Sequence, residues 1–159
     1  MAILDERLEF ADAVSVAAVA GTTLIGDVID LQVTRDIGRG QKAFLVITVD
    51  TEIITAGAAG TIKFQLASDA QAAIATDGSA SVHWDSGTFV TDDAAANDAQ
   101  MNAGSVIASI ALPAEGRVYE RYLGILCTIG TTTVTAGKIN AFITYDEFAV
   151  PRSYADAVN

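Results

Sequence analysis

One histidine, one cysteine, one tryptophan and two prolines are spread through 159 residues. With Cys127 alone, no internal disulfide can close, and with His83 alone the usual zinc sets of paired His and Cys cannot be assembled. A single thiol inside an apolar stretch reads as a small core side chain rather than a nucleophile. Positive charge is scarce too. Nine Lys and Arg stand against twenty Asp and Glu, giving a net charge of −11. Such a surface repels phosphate backbones, so nucleic acid is not expected as a partner. No apolar run approaches the length of a membrane-spanning helix, and no membrane partner is expected. The stretch AVSVAAVAG (13–21) has the outline of a secretory signal. However, Asp5, Glu6, Glu9 and Asp12 outnumber Arg7 where a basic flank belongs, so the chain reads as a soluble product.

What is present is a great deal of small apolar surface. Hydrophobic residues make up 51% of the chain and charged residues 18%, which argues for a folded core and against disorder. At this length one domain is the natural expectation, with no need of covalent staples. Ala and Val supply much of the apolar share and aromatics only 7%, a mix suited to thin sheet packing rather than a ring-lined pocket.

Alternation with a period of two recurs along the chain. In KAFLVITVD (42–50), Leu45, Ile47 and Val49 share one face, while Phe44, Val46 and Thr48 share the other. Residues 60–68 place Ile62, Phe64 and Leu66 inward. Val82, Trp84 and Phe89 flank DSG (85–87), which reads as a hairpin turn. Residues 105–112 form a further strand stopped by Pro113. In RVYERYLGILCTIGTTTVTAGKINAFITYD (117–146), two long runs separated by Gly and Thr read as an antiparallel hairpin closing a β domain. The predicted fold is all-β: an antiparallel two-sheet jelly-roll sandwich over 22–147, with an N-terminal arm (1–21) and a C-terminal tail (148–159). Leu45, Ile47, Val49, Phe64, Trp84 and Ile125 or Cys127 are its predicted core.

Chemistry-bearing motifs fail in context. GRGQKA (38–43) fits a dinucleotide-binding glycine pattern, but it leads into a strand where the phosphate site requires a helix N-terminus. Gly130 and the Gly137-Lys138 pair are spaced too far apart for a P-loop, and Ile139 replaces the residue that would hold magnesium. Asp92, Asp93 and Asp98 do not meet the spacing of a calcium loop. His83 and Asp85 lack a nucleophile elbow, and His83 reads as a surface residue opposite a core Trp84. Accordingly no cofactor, metal or catalytic residue is expected.

Contact residues are better represented. Arg35, Arg39 and Lys42 form the one local concentration of positive charge in an acidic chain. The arms carry Leu4, Leu8, Phe10, Phe148, Val150 and Tyr154, too apolar for idle tails. Leu4, Leu8, Phe10, Arg35, Arg39, Lys42, Phe148 and Tyr154 are therefore the candidate partner contacts, with Tyr119, Tyr122 and Tyr145 behind them.

The acidic arm, VIDL (28–31), RDIGRGQKAFLVITV (35–49) and ERYLGILCTIGTTTVTAGKINAFITYD (120–146) together resemble the capsid cement proteins of Bordetella-type short-tailed phages. The likeness runs in order across most of the chain and is weakest over 69–104. It implies a jelly-roll protein that binds the outer surface of the phage capsid shell through the major capsid protein. It also implies a homo-oligomer, a dimer, that bridges capsomers, made in the host cytoplasm and resident on the virion. The family carries no catalytic residues to transfer. A carbohydrate- or receptor-binding jelly roll is the alternative reading, and it would call for exposed aromatic platforms. An enzyme is the third, without a motif to support it.

Overall fold

The computed structural model describes residues 5–34, 37, 40, 42–56, 60–91, 101–114 and 116–145. A 3-10 turn (Glu6–Leu8) leads into nine strands: β1 (Glu9–Ser15), β2 (Gly21–Asp30), β3 (Phe44–Thr55), β4 (Gly60–Asp69), β5 (Ser81–Asp85), β6 (Phe89–Thr91), β7 (Val106–Ala111), β8 (Tyr122–Gly130) and β9 (Val134–Thr144). One sheet has the order β1-β9-β3-β7. The other has β2-β8-β4-β5, with β6 also on β4. Every pairing is antiparallel. If β5 and β6 count as one interrupted strand, the first strand pairs with the last, the second with the second-last, and so on inward. That is a long hairpin rolled up on itself, the jelly-roll sandwich predicted from the sequence.

Alternation decides which side chains fill the space between the sheets. Leu45, Ile47, Val49 and Ile53 meet Ile139, Ala141 and Ile143 from one sheet; Ile62, Phe64, Leu66, Leu123, Ile125 and Cys127 face them from the other. Each fully buried Leu, Ile, Val or Phe among them contributes about 1.5–3 kcal/mol against the entropy of ordering it. Trp84 is half-buried and packs on the margin of this core. A smaller cluster lies on the outer face of the second sheet. There the 70–80 connection lays Ile74 and Ala80 over Ala67 and Leu126. Gly124 makes room, since a Cβ there would lie 2.7 Å from Ile74 Cδ1.

Three local expectations change. Residues 122–144 are not a hairpin: β8 and β9 lie in opposite sheets, joined across the sandwich through 131–133, where Thr131 adopts a φ of 68°. DSG is not a hairpin turn either, because β5 and β6 both pair with β4 in sequence. Ser86 holds the chain on that line. Its N–H donates to the Phe64 carbonyl at 2.9 Å, and its Oγ accepts from the Phe64 N–H at 3.0 Å. Finally, most of the segment read as an N-terminal arm belongs to the sandwich. Its strand β1 pairs with β9, and Phe10 is 1% exposed within the core. Bulges obscured this strand in the sequence. Ala13 sits at φ 49° and donates its N–H to Asn140 Oδ1 at 2.7 Å.

Candidate functional site

The topology collects side chains at one end of the sandwich. The start of β1, the start of β3, the ends of β7 and β9, the end of β2, the start of β8, the end of β4 and the start of β5 all meet there. Leu31 N–H to the Arg121 carbonyl and Leu112 N–H to the Ala43 carbonyl, each 2.8 Å, stitch the loops of that end. Of the six Lys and Arg among the described residues, Arg7, Lys42, Arg117 and Arg121 lie at this end, whereas Lys63 and Lys138 lie within strands. Val33, Val82, Val118 and Tyr145, four of the six exposed large hydrophobics, lie there as well.

Carboxylates at the same end are turned to local work. Asp30 receives a two-pronged contact from Arg121, with Nε and Nη2 each donating at 2.9 Å. That guanidinium holds the Asp30 carboxyl down at about 2 and also lies 4.9 Å over the Tyr122 ring. Asp69 accepts the N–H groups of Gln71 and Ala75, Asp77 the N–H and hydroxyl of Ser79, and Glu120 the hydroxyl of Ser81. Asp5, Glu6 and Glu9 also stand at this end beside Arg7, so the result is a surface of mixed charge with exposed apolar side chains.

Beneath this surface lies a polar network that the sequence did not reveal. A register shift between Leu66 and Ala67 inserts His83 as an extra residue opposite β4. The bulge turns His83 inward beside Trp84 instead of opposite it. The half-buried imidazole stacks on Tyr119, with centroids 4.0 Å apart, and its Nε2 lies 2.7 Å from Ser68 Oγ. Ser68 Oγ also accepts the Glu120 N–H at 3.0 Å. The Tyr119 hydroxyl donates to the Pro113 carbonyl at 2.8 Å. Ser and His within hydrogen-bonding reach are the opening of a nucleophile–base pair. Here the serine is fully buried, and the Glu120 carboxylate is engaged by Ser81 rather than the imidazole, so no attacking oxygen is presented.

A second feature is an open cleft of about 280 Å³ between the edge strands β1 and β2, lined by Glu6, Glu9, Asp12 and Asp27 beside Phe10 and Val14. No group of His, Cys, Asp or Glu among the described residues is arranged to hold a metal ion.

The sequence-predicted contacts divide three ways. Lys42 is exposed at this end, and Leu8 is half-buried there against the core margin. Phe10 is a core residue, so it cannot serve as a surface contact; Tyr119 is likewise buried. Leu4, Arg35, Arg39, Phe148 and Tyr154 lie outside the described residues.

Fold and surface together define a jelly-roll β-sandwich protein with exposed apolar and charged side chains gathered at one end. The Bbp16 family model matches residues 10–143, from within β1 almost to the end of β9. The chain therefore belongs to the Bbp16 family, a Bordetella-phage family, which agrees with the phage resemblance in the sequence. No curated protein matches the chain.

Proposed function

We propose that this protein is a non-catalytic structural component of the virion, a cement protein that binds the outer surface of the capsid shell and bridges capsomers as a homodimer. The observation that carries the reading is the family match, which spans the sandwich from edge to edge. The architecture suits the task. Bulges on β1 and β2 and the DSG interruption between β5 and β6 blunt the sheet edges, which lets a rigid β core stay soluble until it meets its partner. The exposed apolar and charged side chains gathered at one end, Val33, Val118 and Lys42 among them, supply the contacts.

The mechanism is thermodynamic. A protein that binds the assembled shell but not its dissociated subunits stabilises the shell by mass action, about 2.7 kcal/mol per site at a hundredfold excess over Kd. Many copies on one shell make modest single contacts sufficient. The alternative carbohydrate reading calls for aromatic platforms; Trp84 packs on the core and Tyr119 is buried, which leaves Tyr145 as the one exposed large aromatic among the described residues.

The test is cosedimentation of the purified protein with phage heads that lack it, followed by the melting temperature of the heads. Binding with a raised melting temperature is expected. Protein that stays in the supernatant at saturating concentration would refute the proposal.

A further inference from the structure

We propose that Ser68, His83 and Tyr119 form a proton-operated clasp, which holds residues 116–121 against β5 while His83 is neutral and releases them when the imidazole takes up a proton. The argument starts from the hydrogens. Ser68 is fully buried, and its Oγ already accepts the Glu120 N–H. The hydroxyl proton of Ser68 then has one described acceptor within reach, His83 Nε2 at 2.7 Å. That arrangement requires the tautomer with its proton on Nδ1. Protonation turns Nε2 into a donor. Ser68 would then receive two N–H groups while its own proton is left buried without a partner, a costly state.

The same two side chains, together with Ser81, hold the connection. Ser68 anchors Glu120 through its backbone, Ser81 Oγ anchors the Glu120 carboxylate at 2.6 Å, and the His83 ring supports Tyr119. Losing the Ser68 geometry therefore loosens the stretch at its anchor. Arg117 and Val118 ride on this stretch, so its release rearranges the exposed end of the sandwich.

The charged groups that face His83 are Glu120, whose carboxylate favours the proton, and Arg117, which opposes it; β4 contributes the neutral Ser68. Burial outweighs both and holds the imidazole below its usual 6.5. The released stretch leaves a solvated His83 that binds protons more readily. The clasp is therefore at full strength above pH 6.5 and weakens as pH falls below it, by about tenfold per pH unit down to the clasped-state pKa.

His83 is the only histidine, so its imidazole signals are read without ambiguity. Nitrogen-15 NMR at pH 8 is expected to show the Nδ1–H tautomer and a titration midpoint below 6.5. Amide hydrogen exchange, corrected for intrinsic rate, is expected to show Glu120 opening rising about tenfold per pH unit on acidification while Ile125 in β8 stays protected. His83→Gln keeps an acceptor for Ser68 without a titrating group and should flatten the pH response of Glu120. An Nε2–H tautomer, a midpoint at or above 6.5, or a Glu120 response that persists in folded His83→Gln would each overturn the proposal. If His83→Gln does not fold, the tautomer and midpoint of the parent protein decide. All readouts use the isolated protein, so their outcome is separate from whether it binds capsids.

Discussion

Replacing Gly26 with Ala should be far more damaging than the same change at Gly87, and the comparison tests how tightly β1 lies on β2. Both glycines have similar left-handed backbones, at φ +63° and +73°. At Gly87 a new Cβ meets nothing within 4 Å, whereas at Gly26 it would fall 1.9 Å from the Phe10 carbonyl oxygen. Left-handed backbone costs an alanine about 1–2 kcal/mol, the whole expected penalty at Gly87. At Gly26 the Phe10 carbonyl must also retreat by roughly 1.5 Å to reach ordinary contact, and overpacking of that kind adds about 1–3 kcal/mol. The β1 backbone cannot yield easily, because Phe10 is locked in the core and its neighbour Ala11 pairs with Ala141. Urea unfolding of both variants measures the difference directly. In a domain of this size the Gly26→Ala protein should also melt lower by about 2–4 °C for each extra kcal/mol. Equal losses at the two positions would refute the close approach of β1 to β2 and restore the N-terminal segment to a detached arm.

Other consequences can be checked on the purified protein. Phe10→Ala should cost about 3–5 kcal/mol in denaturant unfolding, as a truncated core aromatic does, and a near-neutral result would contradict its burial. Arg121→Gln should raise the Asp30 titration from about 2 toward its usual 3.8 by NMR, with the Gln32 N–H still holding part of the shift. The parent's Asp30 contribution to stability is whole above 3.8 and lost as pH falls through about 2, and the variant should show less of that acid-range loss. Burial pushes the Cys127 thiol up to about 12, so a thiol reagent at pH 8 should leave the native protein unmodified and react once it is denatured. Lys42→Glu should weaken binding to phage heads more at low salt than at high salt, and unchanged binding at both would move the contact away from Lys42 and its end of the sandwich.

The inward faces of β3, β4, β8 and β9 were legible because alternation fixes a face locally. Leu45 and Ile47, Phe64 and Leu66, and Ile139 and Ile143 all point where their spacing places them. Partner choice is not local, and there the sequence misleads. The glycine and threonines after Ile129 look like a hairpin turn but carry the chain from one sheet to the other. Bulges hide more. EFADAVS (9–15) shows broken alternation because its register shifts twice against β9, so Phe10 looked like part of an arm. His83 alternates with Val82 and Trp84 in the sequence, and only the extra residue opposite β4 turns it toward Ser68. The side chains exposed at one end of the sandwich were legible only in part, through Lys42. Arg117, Arg121, Val33 and Val118 are scattered along the chain, and only the rolled topology brings them to one end.

That topology also fixes when the protein can fold. β9 lies between β1 and β3, and β8 between β2 and β4, so the middle of each sheet comes from the last two strands to be made. A nascent chain that has reached only β7 leaves β1 and β2 without any hydrogen-bonding partner, and Glu9 waits for Phe142. Pairings between strands so distant in sequence close slowly, because loop entropy is spent before contacts repay it. Completion of the sandwich therefore waits for β8 and β9, and until they arrive the growing chain exposes half-built sheets that invite association with its neighbours.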